Sequence, residues 1–255
     1  MSSWALVTGA TAGIGESFSR LLATNRYNIV LVARDLPRLQ ERAKALEEKF
    51  GVKTHVIQAD LATDEGCLKV EQYISENQID VLINNAGFGT NKAFTMSTLE
   101  IEQQLLDVLV RTPMRLMHVA LPLMKQRNNG VVINVSSVAG YIAGGTYSAS
   151  KSYLTVLSES LHTELSGTNV KVSALCPGFT RTEFHQRGKM SMKGLPNFMW
   201  LSSDYLVEQS WKDAMKGEAI SVPGWQYKLL VFIVNAIPRS IVRKVGMNMR
   251  AKQRK

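Results

Sequence analysis

The stretch Thr8-Gly9-Ala10-Thr11-Ala12-Gly13-Ile14-Gly15 joins the apolar run Trp4–Thr8 to a segment with helical periodicity over residues 14–23. Glycines permit a tight turn and a close approach of the backbone to a phosphate, and the following helix presents free N–H groups to an anion. Ordinary glycine-rich turns also contain such triplets. The position directly after an N-terminal strand favours a dinucleotide-binding turn, with contacts from Gly9, Thr11, Ala12, Gly13, Ile14 and Gly15.

Apolar runs without polar alternation continue to alternate with helical patterns along the chain, which is typical of a parallel sheet covered on both faces. This order predicts an α/β fold, a doubly wound, Rossmann-type, parallel seven-stranded sheet with helices on both faces and a C-terminal helical extension. Residues 1–223 are expected to form the dinucleotide-binding and catalytic domain, and residues 224–255 a basic, apolar extension. The predicted strands are residues 4–8, 28–33, 53–58, 79–84, 130–136, 169–175 and 219–222.

The longest helical pattern covers residues 97–126. The motif Ser97-x-x-Glu100 predicts a capping box at its start. Pro113 and Pro122 lie inside the pattern and predict kinks.

Composition narrows the class of protein. The chain has 255 residues, of which 45% are hydrophobic, and this length suits one large domain. Its formal net charge is +9, but residues 219–255 alone carry eight bases and no acid, so the remainder has 22 bases against 21 acids. A nearly neutral body argues against a nucleic-acid partner.

Cys67 and Cys176 have neither metal-ligand nor CxxC spacing, so no metal site is predicted and buried, reduced cysteines are expected. The first residues lack the features of a signal peptide, and the longest apolar run near the C-terminus is too short to span a bilayer. We therefore expect a cytoplasmic protein.

Tyr147 and Lys151 stand four residues apart in Thr146-Tyr147-Ser148-Ala149-Ser150-Lys151. On a helix, both side chains project from the same face. A fixed ammonium beside a phenol favours tyrosinate, so the tyrosine can give a proton to a carbonyl oxygen or take one from an alcohol. Such a pair more commonly marks a solvent-exposed helix face. Here the surrounding motifs favour a role in proton transfer.

The residues after the second strand, Val32-Ala33-Arg34-Asp35, bear on the choice of cofactor. A carboxylate at this strand end would hold a ribose 2′-hydroxyl and repel a 2′-phosphate. Ala33 takes that position, and Arg34 offers a charge-assisted bond to a phosphate. NADP(H) is therefore expected. Two alternatives stay open: Arg34 is simply exposed at a helix start, or Asp35 faces a ribose.

Other candidate residues follow the remaining strands at the same edge of the sheet, where such folds bind ligands. Asp60 can accept a hydrogen bond from an adenine amine, and Ser137 can bind a reacting carbonyl oxygen, whereas Ser136 is expected to be structural. The small residues after strand four can lie against a nucleotide, and the loop after strand six can line a nicotinamide. The cofactor-binding candidates in these segments are Asp60, Leu61, Asn85, Ala86, Gly87, Pro177, Gly178, Thr180 and Thr182.

The motifs TGxxxGxG, NNAG, a serine pair, YxxxK and PGxxxT occur in this order over residues 4–222, and they resemble the classical short-chain dehydrogenase/reductase (SDR) family. The resemblance implies hydride transfer between the nicotinamide and a substrate carbon. It implies that Tyr147 is the general acid/base, that Lys151 tunes it and binds the nicotinamide ribose, and that Ser137 polarises the substrate oxygen. It also implies a homodimer or homotetramer built through the long helices.

Two features depart from the family pattern. Asp107-Val108-Leu109-Val110 carries Leu109 where such enzymes usually have an asparagine that shapes a water relay to the lysine. Nine residues separate Ser137 from Tyr147, where twelve is common in the family. We expect an altered relay, and either a more open site or a displaced Ser137.

The segment 183–211 is expected to form a variable lid over the substrate, and its flexible apolar residues suit an apolar carbonyl or alcohol. These residues can equally be core or subunit contacts. His185 is expected at the surface. The tail, residues 224–255, is either an amphipathic membrane-surface element or a segment packed on the protein.

The sequence thus predicts an enzyme, an NADPH-dependent reductase that acts on an apolar ketoacyl compound, a steroid-like or retinoid-like ketone, or an aldehyde. The alternative is an NADP-binding regulatory or scaffold protein with little catalysis, which Leu109 and the short loop support. Peripheral membrane contact through residues 224–255 is compatible with both.

Overall fold

The protein is seen in a computed structural model, which describes residues 3–188, 190–192 and 194–244. The strands in these residues are β1 (Trp4–Thr8), β2 (Asn28–Ala33), β3 (Thr54–Gln58), β4 (Val81–Asn84), β5 (Gly130–Val135), β6 (Val170–Leu175) and β7 (Ile220–Ser221). They form one sheet in the order β3-β2-β1-β4-β5-β6-β7, and every pairing is parallel. The predicted doubly wound fold is confirmed.

The helices connect successive strands, as parallel pairing requires. In the described residues they are α1 (Gly13–Thr24), α2 (Leu36–Phe50), α3 (Asp64–Glu76), α4 (Leu99–Leu106), α5 (Thr112–Gln126), α6 (Thr146–Glu164), α7 (Phe184–Arg187), α8 (Ser203–Lys216) and α9 (Trp225–Ala236). Residues 239–244 are helical again where the described part ends. The predicted helical C-terminal part is therefore confirmed, although residues 245–255 of the tail lie outside the described residues.

Two apolar layers cover the sheet, because successive strand residues point to opposite faces. Val7 belongs to the layer that α1, α2 and α8 complete, and Leu6 belongs to the layer of α3, α5 and α6. Phe18 and Leu22 on α1 are fully buried. Each such side chain contributes about 1.5–3 kcal/mol through burial.

The chain reverses its direction of travel across the sheet between β1 and β4. After β1 it moves outward to β2 and β3, then returns to pair β4 with the other side of β1. The loops after these two neighbouring strands separate there and leave a crevice, which is where open α/β sheets bind ligands. The glycine-rich turn after β1 lies at this point.

The predicted continuous helix over residues 97–126 is wrong in detail. α4 starts after Thr98, whose side chain makes no capping bond, so the expected capping box does not form. A π-helical segment, Asp107–Arg111, separates α4 from α5. Pro113 is at the first turn of α5, directly after the π-helical segment, and Pro122 lies inside that helix.

The C-terminal part packs onto the sheet through a few buried side chains. β7 pairs with β6, and on α9 the buried residues are Tyr227 and Val234. Within the residues that the structure describes, no helix combines the length and the apolar content needed to cross a bilayer.

Candidate active site

The turn between β1 and α1 has the conformation that its glycines allow. Gly9 and Gly13 have φ angles of 66° and 58°, which non-glycine residues adopt only with strain. A methyl group on Gly15 would lie 2.3 Å from the carbonyl oxygen of Gly9. Ala12 caps α1 without a side-chain hydrogen bond, so the first N–H groups of this helix can serve an anion.

Asn85 and Thr8 hold this turn in place. The Asn85 amide donates to the carbonyl oxygens of Thr8 at 2.8 Å and Gly9 at 3.1 Å. The Thr8 hydroxyl accepts from the backbone N–H groups of Asn85 and Ala86 at 2.9 and 3.0 Å. The side chain of Asn85, predicted to contact a nucleotide, is used here to tie the end of β4 to the glycine turn.

The remaining candidates on the adenosine side are near the same edge but differ in what they expose. Asp60 is exposed, and its carboxylate accepts from the N–H of Ala62 at 3.0 Å. Leu61 has a buried side chain, and its carbonyl oxygen accepts from Thr112 at 2.7 Å. Leu61 is therefore placed for packing, a role that its position in the motif did not indicate. Thr11 is buried in the turn and Ile14 packs partly on the core.

Arg34 is exposed directly after β2, and Asp35 caps α2 by accepting from the N–H of Arg38 at 3.1 Å. Asp35 is thus engaged with the helix start. Arg38 lies one turn further and forms a bidentate ion pair with Glu183, at 3.3 and 3.0 Å. This pair joins α2 to the segment after β6, on opposite sides of the crevice.

Tyr147 and Lys151 lie on the first turns of α6, beside the ends of β4 and β5. The Lys151 ammonium is 5.7 Å from the centre of the Tyr147 ring and donates to the carbonyl oxygen of Val135 at 2.6 Å. Lys151 is buried, and that burial lowers its pKa to about 8. The structure therefore brings the predicted pair together and fixes its ammonium at the sheet edge.

A small cavity of about 10 Å³ adjoins Lys151, which is the size of a single water site. Leu109, on the π-helical segment, lines it together with Asn84 and Val135. A methyl group of Leu109 also lies against Gly87, where an added Cβ would be 2.9 Å away. The π-helical segment thus presents to the cavity beside Lys151 a leucine side chain, which cannot form hydrogen bonds.

Asn84 brings an unsatisfied polar atom to the same cavity. Its amide nitrogen donates to Asn134 at 2.8 Å, and Asn134 donates in turn to Ser158 at 2.9 Å. The carbonyl oxygen of the Asn84 side chain is buried without a partner among the described residues. Neither Asn84 nor this chain of amides was singled out as functional from the sequence.

Ser137 follows β5 and starts a 3-10 helix, Val138–Tyr141. Its hydroxyl donates to the carbonyl oxygen of Pro177 at 3.4 Å and accepts from the N–H of Ala139 at 3.1 Å. Ser136 bonds the Lys151 carbonyl at 2.7 Å and so has the structural position predicted for it. The short loop packs directly on α6, because a Cβ at Gly140 would lie 3.0 Å from the Lys151 backbone.

The loop after β6 closes against the glycine turn. The Thr182 methyl would be 2.9 Å from a Cβ on Gly13, and its hydroxyl accepts from the N–H of Phe184 at 3.3 Å. Thr180 is buried and donates to the carbonyl oxygen of Gly178 at 3.0 Å. The ring of Tyr227 packs directly against Gly178, so that a side chain at position 178 would collide with it.

Aromatic side chains form the wall above Tyr147. The Phe184 ring is 5.9 Å from the Tyr147 ring, and His185 lies 5.5 Å from both Phe184 and Trp200. His185 was expected at the surface, but it is half-buried, and burial lowers its pKa. Met190 and Phe184 also lie against Gly89 across the crevice. The segment after β6 thus places apolar groups next to the tyrosine, and its role as a lid stays a prediction.

The residues present fit a nicotinamide dinucleotide. The strained glycine turn, the uncapped helix start and the close approach of Thr182 leave backbone groups facing the crevice, as a pyrophosphate requires. At the other end of the crevice, a buried lysine lies beside a tyrosine. The doubly wound sheet with this crevice is a fold of the Rossmann type.

The family follows from sequence comparison. A family model described as short chain dehydrogenase matches residues 3–192. The chain belongs to the short-chain dehydrogenase family, as its motifs indicated. Family membership supports an oxidoreductase that acts on CH–OH or C=O groups with a nicotinamide cofactor.

Relatives with assigned names share about a quarter to a third of their residues with it. Very-long-chain 3-oxoacyl-CoA reductase of Rattus norvegicus is 29% identical over 250 residues, covering 94% of this chain and 75% of the relative. 17-beta-hydroxysteroid dehydrogenase type 3 of Mus musculus is 28% identical, with coverage of 94% and 78%.

Solved structures agree with this fold. A short-chain dehydrogenase from Sphingobium yanoikuyae in complex with NADPH has a TM-score of 0.84 at 29% identity, covering 92% of this chain and 94% of that one. A short chain dehydrogenase/reductase from Burkholderia phymatum in complex with NAD has a TM-score of 0.80 at 21% identity, with coverage of 91% and 92%. The second likeness concerns the fold alone, and the two together leave the choice between NADP and NAD open.

Proposed function

We propose that this protein is an NADPH-dependent carbonyl reductase for apolar substrates. The observation that carries the proposal is the Tyr147–Lys151 pair, in which a buried ammonium lies 5.7 Å from the tyrosine ring at the end of the ligand crevice. A protein that only bound nucleotides would have no use for a buried cation beside a phenol. Bound NADPH supplies the hydride that reduces the carbonyl carbon.

The side chains of this protein then handle the oxygen and its proton. Tyr147 donates a proton to the oxygen as negative charge develops on it. Lys151 favours the resulting tyrosinate, since with a pKa of about 8 it is mostly an ammonium at neutral pH. Ser137 turns its hydroxyl from Pro177 to the substrate oxygen and stabilises the developing charge.

NADPH is proposed over NADH because of the charges after β2. Arg34 is exposed at the strand end, whereas the guanidinium of Arg38, one turn later, is held in its ion pair with Glu183. A guanidinium group binds phosphate oxygens strongly, and Arg34 would not select a bare ribose hydroxyl. The structural relative that contains NADPH supports this choice.

The apolar substrate is proposed from the wall beside Tyr147. Phe184, Met190 and Trp200 contribute apolar surface there, and His185 packs between Phe184 and Trp200. The named relatives act on very-long-chain 3-oxoacyl-CoA and on a 17-beta-hydroxysteroid, which are large apolar carbonyl or alcohol compounds. A ketoacyl chain, a steroid-like ketone or a long aldehyde fits this wall best.

A homodimer or homotetramer is proposed through the helices α4 to α6. These helices and the segment before them expose the apolar residues Phe94, Met96, Leu99, Leu106, Met114, Tyr153 and Val156. Exposed apolar patches of this extent usually meet another protein surface. Sedimentation velocity of the full chain tests this, and a monomer at micromolar concentration would contradict it.

The activity is tested by NADPH oxidation with a panel of ketones and aldehydes of increasing chain length. Tyr147→Phe should lower turnover by about 10²- to 10⁴-fold, the usual contribution of a general acid, and leave NADPH affinity unchanged. Tyr205→Phe, an exposed tyrosine on α8 outside the proposed interface, is the matched control and should retain full turnover. If the wild type oxidises NADPH with none of the ketones and aldehydes in the panel, the regulatory or scaffold alternative is favoured. If Tyr147→Phe keeps its turnover, Tyr147 is not the general acid.

A further inference from the structure

Helix α9 has two faces of opposite character. Tyr227 and Val234 point inward and are 0% and 7% exposed. Trp225 and Phe232 lie on the other side and are each 71% exposed, with Leu229 between them at 50%. Their spacing of four and three residues places these three side chains on one stripe. A stripe of this kind in water needs a partner that covers it.

This stripe lies on the side of the molecule where the substrate wall is. The Tyr227 hydroxyl accepts from the N–H of Phe179 at 2.9 Å and donates to the Met199 carbonyl. Gln226 donates to the carbonyl oxygen of Phe198 at 3.0 Å, and the Phe198 ring is itself 61% exposed. The inner face of α9 thus supports the segment after β6, and its outer face continues the surface of that segment.

The chain that carries the stripe, and the helical residues that follow it, are rich in positive charge. Lys228, Arg239, Arg243 and Lys244 are exposed, and Arg239 reaches the carbonyl oxygen of Tyr141, in the Ser137–Tyr147 loop, at 3.4 Å. The sequence from residue 219 to residue 255 contains eight bases and no acid. The last four of these bases lie outside the described residues. The surface of α9 and the following helical residues therefore combines exposed aromatic rings with uncompensated positive charge.

We propose that this surface, formed by Trp225, Leu229 and Phe232 with the bases of residues 228–244, docks onto an anionic lipid bilayer. Aromatic and aliphatic side chains enter the boundary between headgroups and acyl chains, and the bases bind the anionic headgroups. A second copy of the chain is a poorer occupant. A two-fold contact would bring the same acid-free surface against itself, with like charges opposed.

The consequence for the reaction concerns access. The docked surface is continuous with the segment that carries Phe184 and Trp200, so an apolar substrate can pass from the bilayer to the crevice without crossing water. This step rests on the proposed apolar substrate, whereas the lipid docking itself depends only on the exposed rings and bases of α9.

The experiment is co-sedimentation of the full chain with vesicles of phosphatidylcholine, with and without phosphatidylserine. The wild type should bind the anionic vesicles and lose binding at high salt. Trp225→Glu with Phe232→Glu should bind at least tenfold more weakly, and Arg243→Gln should bind about fivefold more weakly for the loss of one base near the surface. Leu68→Glu, an exposed leucine on α3 at 56% exposure, is the matched control and should bind like the wild type.

Two further readouts separate the outcomes. NADPH oxidation with a water-soluble ketone is measured on each protein, and retained turnover in the double variant shows that this variant is folded. If the wild type turns over the ketone but does not bind vesicles, the docking proposal is wrong and the proposed function still stands. Sedimentation velocity without lipid is measured in parallel. A double variant that loses an oligomer yet still binds vesicles would show that a second copy covers the stripe, and would overturn the proposal.

Discussion

The two sides of the crevice are built in different ways. On the side of β1 and β4, the backbone forms the surface, and Asn85 and Thr8 hold it with short hydrogen bonds. On the side after β6, side chains form the surface, and they come from α7, the following loops and α9. The first side is fixed by local backbone conformation, and the second by contacts between distant segments.

This difference separates recognition of a constant ligand from recognition of a variable one. A backbone cradle binds a phosphate group whatever the surrounding side chains are, so it suits a cofactor. A wall of aromatic and flexible apolar side chains changes with each substitution, so it suits the substrate. Substitutions on the first side should therefore lower cofactor affinity, and substitutions on the second side should change which substrates are accepted.

The largest effect is expected from Gly13→Ala. Gly13 has a φ of 58°, and an added methyl would be 2.9 Å from Thr182, so the turn must shift and its N–H groups lose their alignment. Loss of two charge-assisted bonds predicts cofactor affinity lowered by about a hundredfold or more in fluorescence titration. Thr182 would have to move as well, which links the two sides of the crevice at this position.

Gly51→Ala is the matched control for that change. Gly51 has a similar φ of 67°, and a methyl there meets no described atom within 4 Å. It should cost about 1–2 kcal/mol of stability in urea unfolding, as the strained conformation alone does. If Gly51→Ala leaves cofactor affinity unchanged, the loss in Gly13→Ala comes from the glycine-rich turn and not from general backbone strain. An equal loss in both variants would show that the cofactor does not bind at this turn.

Arg34→Ala tests the one side-chain contact expected on the cofactor side. Loss of a bond to a charged phosphate predicts NADPH affinity lowered by about tenfold to a hundredfold, with NADH affinity little changed. Lys44→Ala, on the exposed face of α2, should leave both affinities unchanged. Isothermal titration with the two cofactors measures the ratio, and equal losses for both would remove Arg34 as the phosphate contact.

Lys151 predicts opposite trends for stability and activity above neutral pH. Burial lowers its pKa to about 8 from an unfolded value near 10.5, so the unfolded chain binds more protons between these values. The stability cost of burying the charge is therefore present below pH 8 and is relieved as pH rises through that window, by at most ~1.4 kcal/mol per pH unit. Reduction should decline over the same window as the ammonium is lost.

The free energy of unfolding is measured for the wild type and for Lys151→Met as a function of pH. The difference between the two separates the effect of Lys151 from that of the other lysines and tyrosines that titrate in this range. The free energy of unfolding of the wild type should rise relative to the variant from pH 8 to pH 10. Turnover of the wild type should fall about tenfold per pH unit at the end of that range. A flat difference in unfolding energy would mean that Lys151 titrates outside this window.

The candidate residues on the cofactor side could be located from the sequence, because each of them belongs to a short local pattern. The turn around Gly13 and the pair Tyr147–Lys151 could be recognised from residues within one or two turns of each other. The confirmed fold came from the alternation of apolar runs and helical periods, for the same local reason. The roles of these residues stay predictions until the variants are measured.

The rest depended on contacts that no local pattern encodes. Arg38 meets Glu183 across 145 residues of chain, and the ring of Tyr227 fills the space beside Gly178. His185 was expected at the surface because it lies near a predicted turn, yet aromatic rings from Phe179 and Trp200 pack against it. The failed capping box at Ser97 shows the same limit, since a 3-10 helix at residues 94–96 shifts the start of α4.

The smallest effect is expected at the boundary of the two sides, from Leu109→Asn. Leu109 and Asn84 line the small cavity beside Lys151, and the side-chain oxygen of Asn84 is buried without a partner among the described residues. An asparagine amide at position 109 can donate to that oxygen and open a polar route to the lysine. Turnover should rise about two- to threefold, which corresponds to ~0.5 kcal/mol in the barrier, while the loss of apolar burial lowers stability by about 1.5–3 kcal/mol.

Leu109→Ala separates the amide from the loss of volume. It should lower stability by a similar amount, since it also removes a buried leucine, but it should not raise turnover. Turnover is followed by NADPH oxidation at saturating substrate, and the solvent deuterium isotope effect should shrink in the asparagine variant alone. If both variants raise turnover equally, the gain comes from the smaller side chain near Lys151. The amide of the asparagine variant, and with it a faster supply of protons to Lys151, would then not explain the gain.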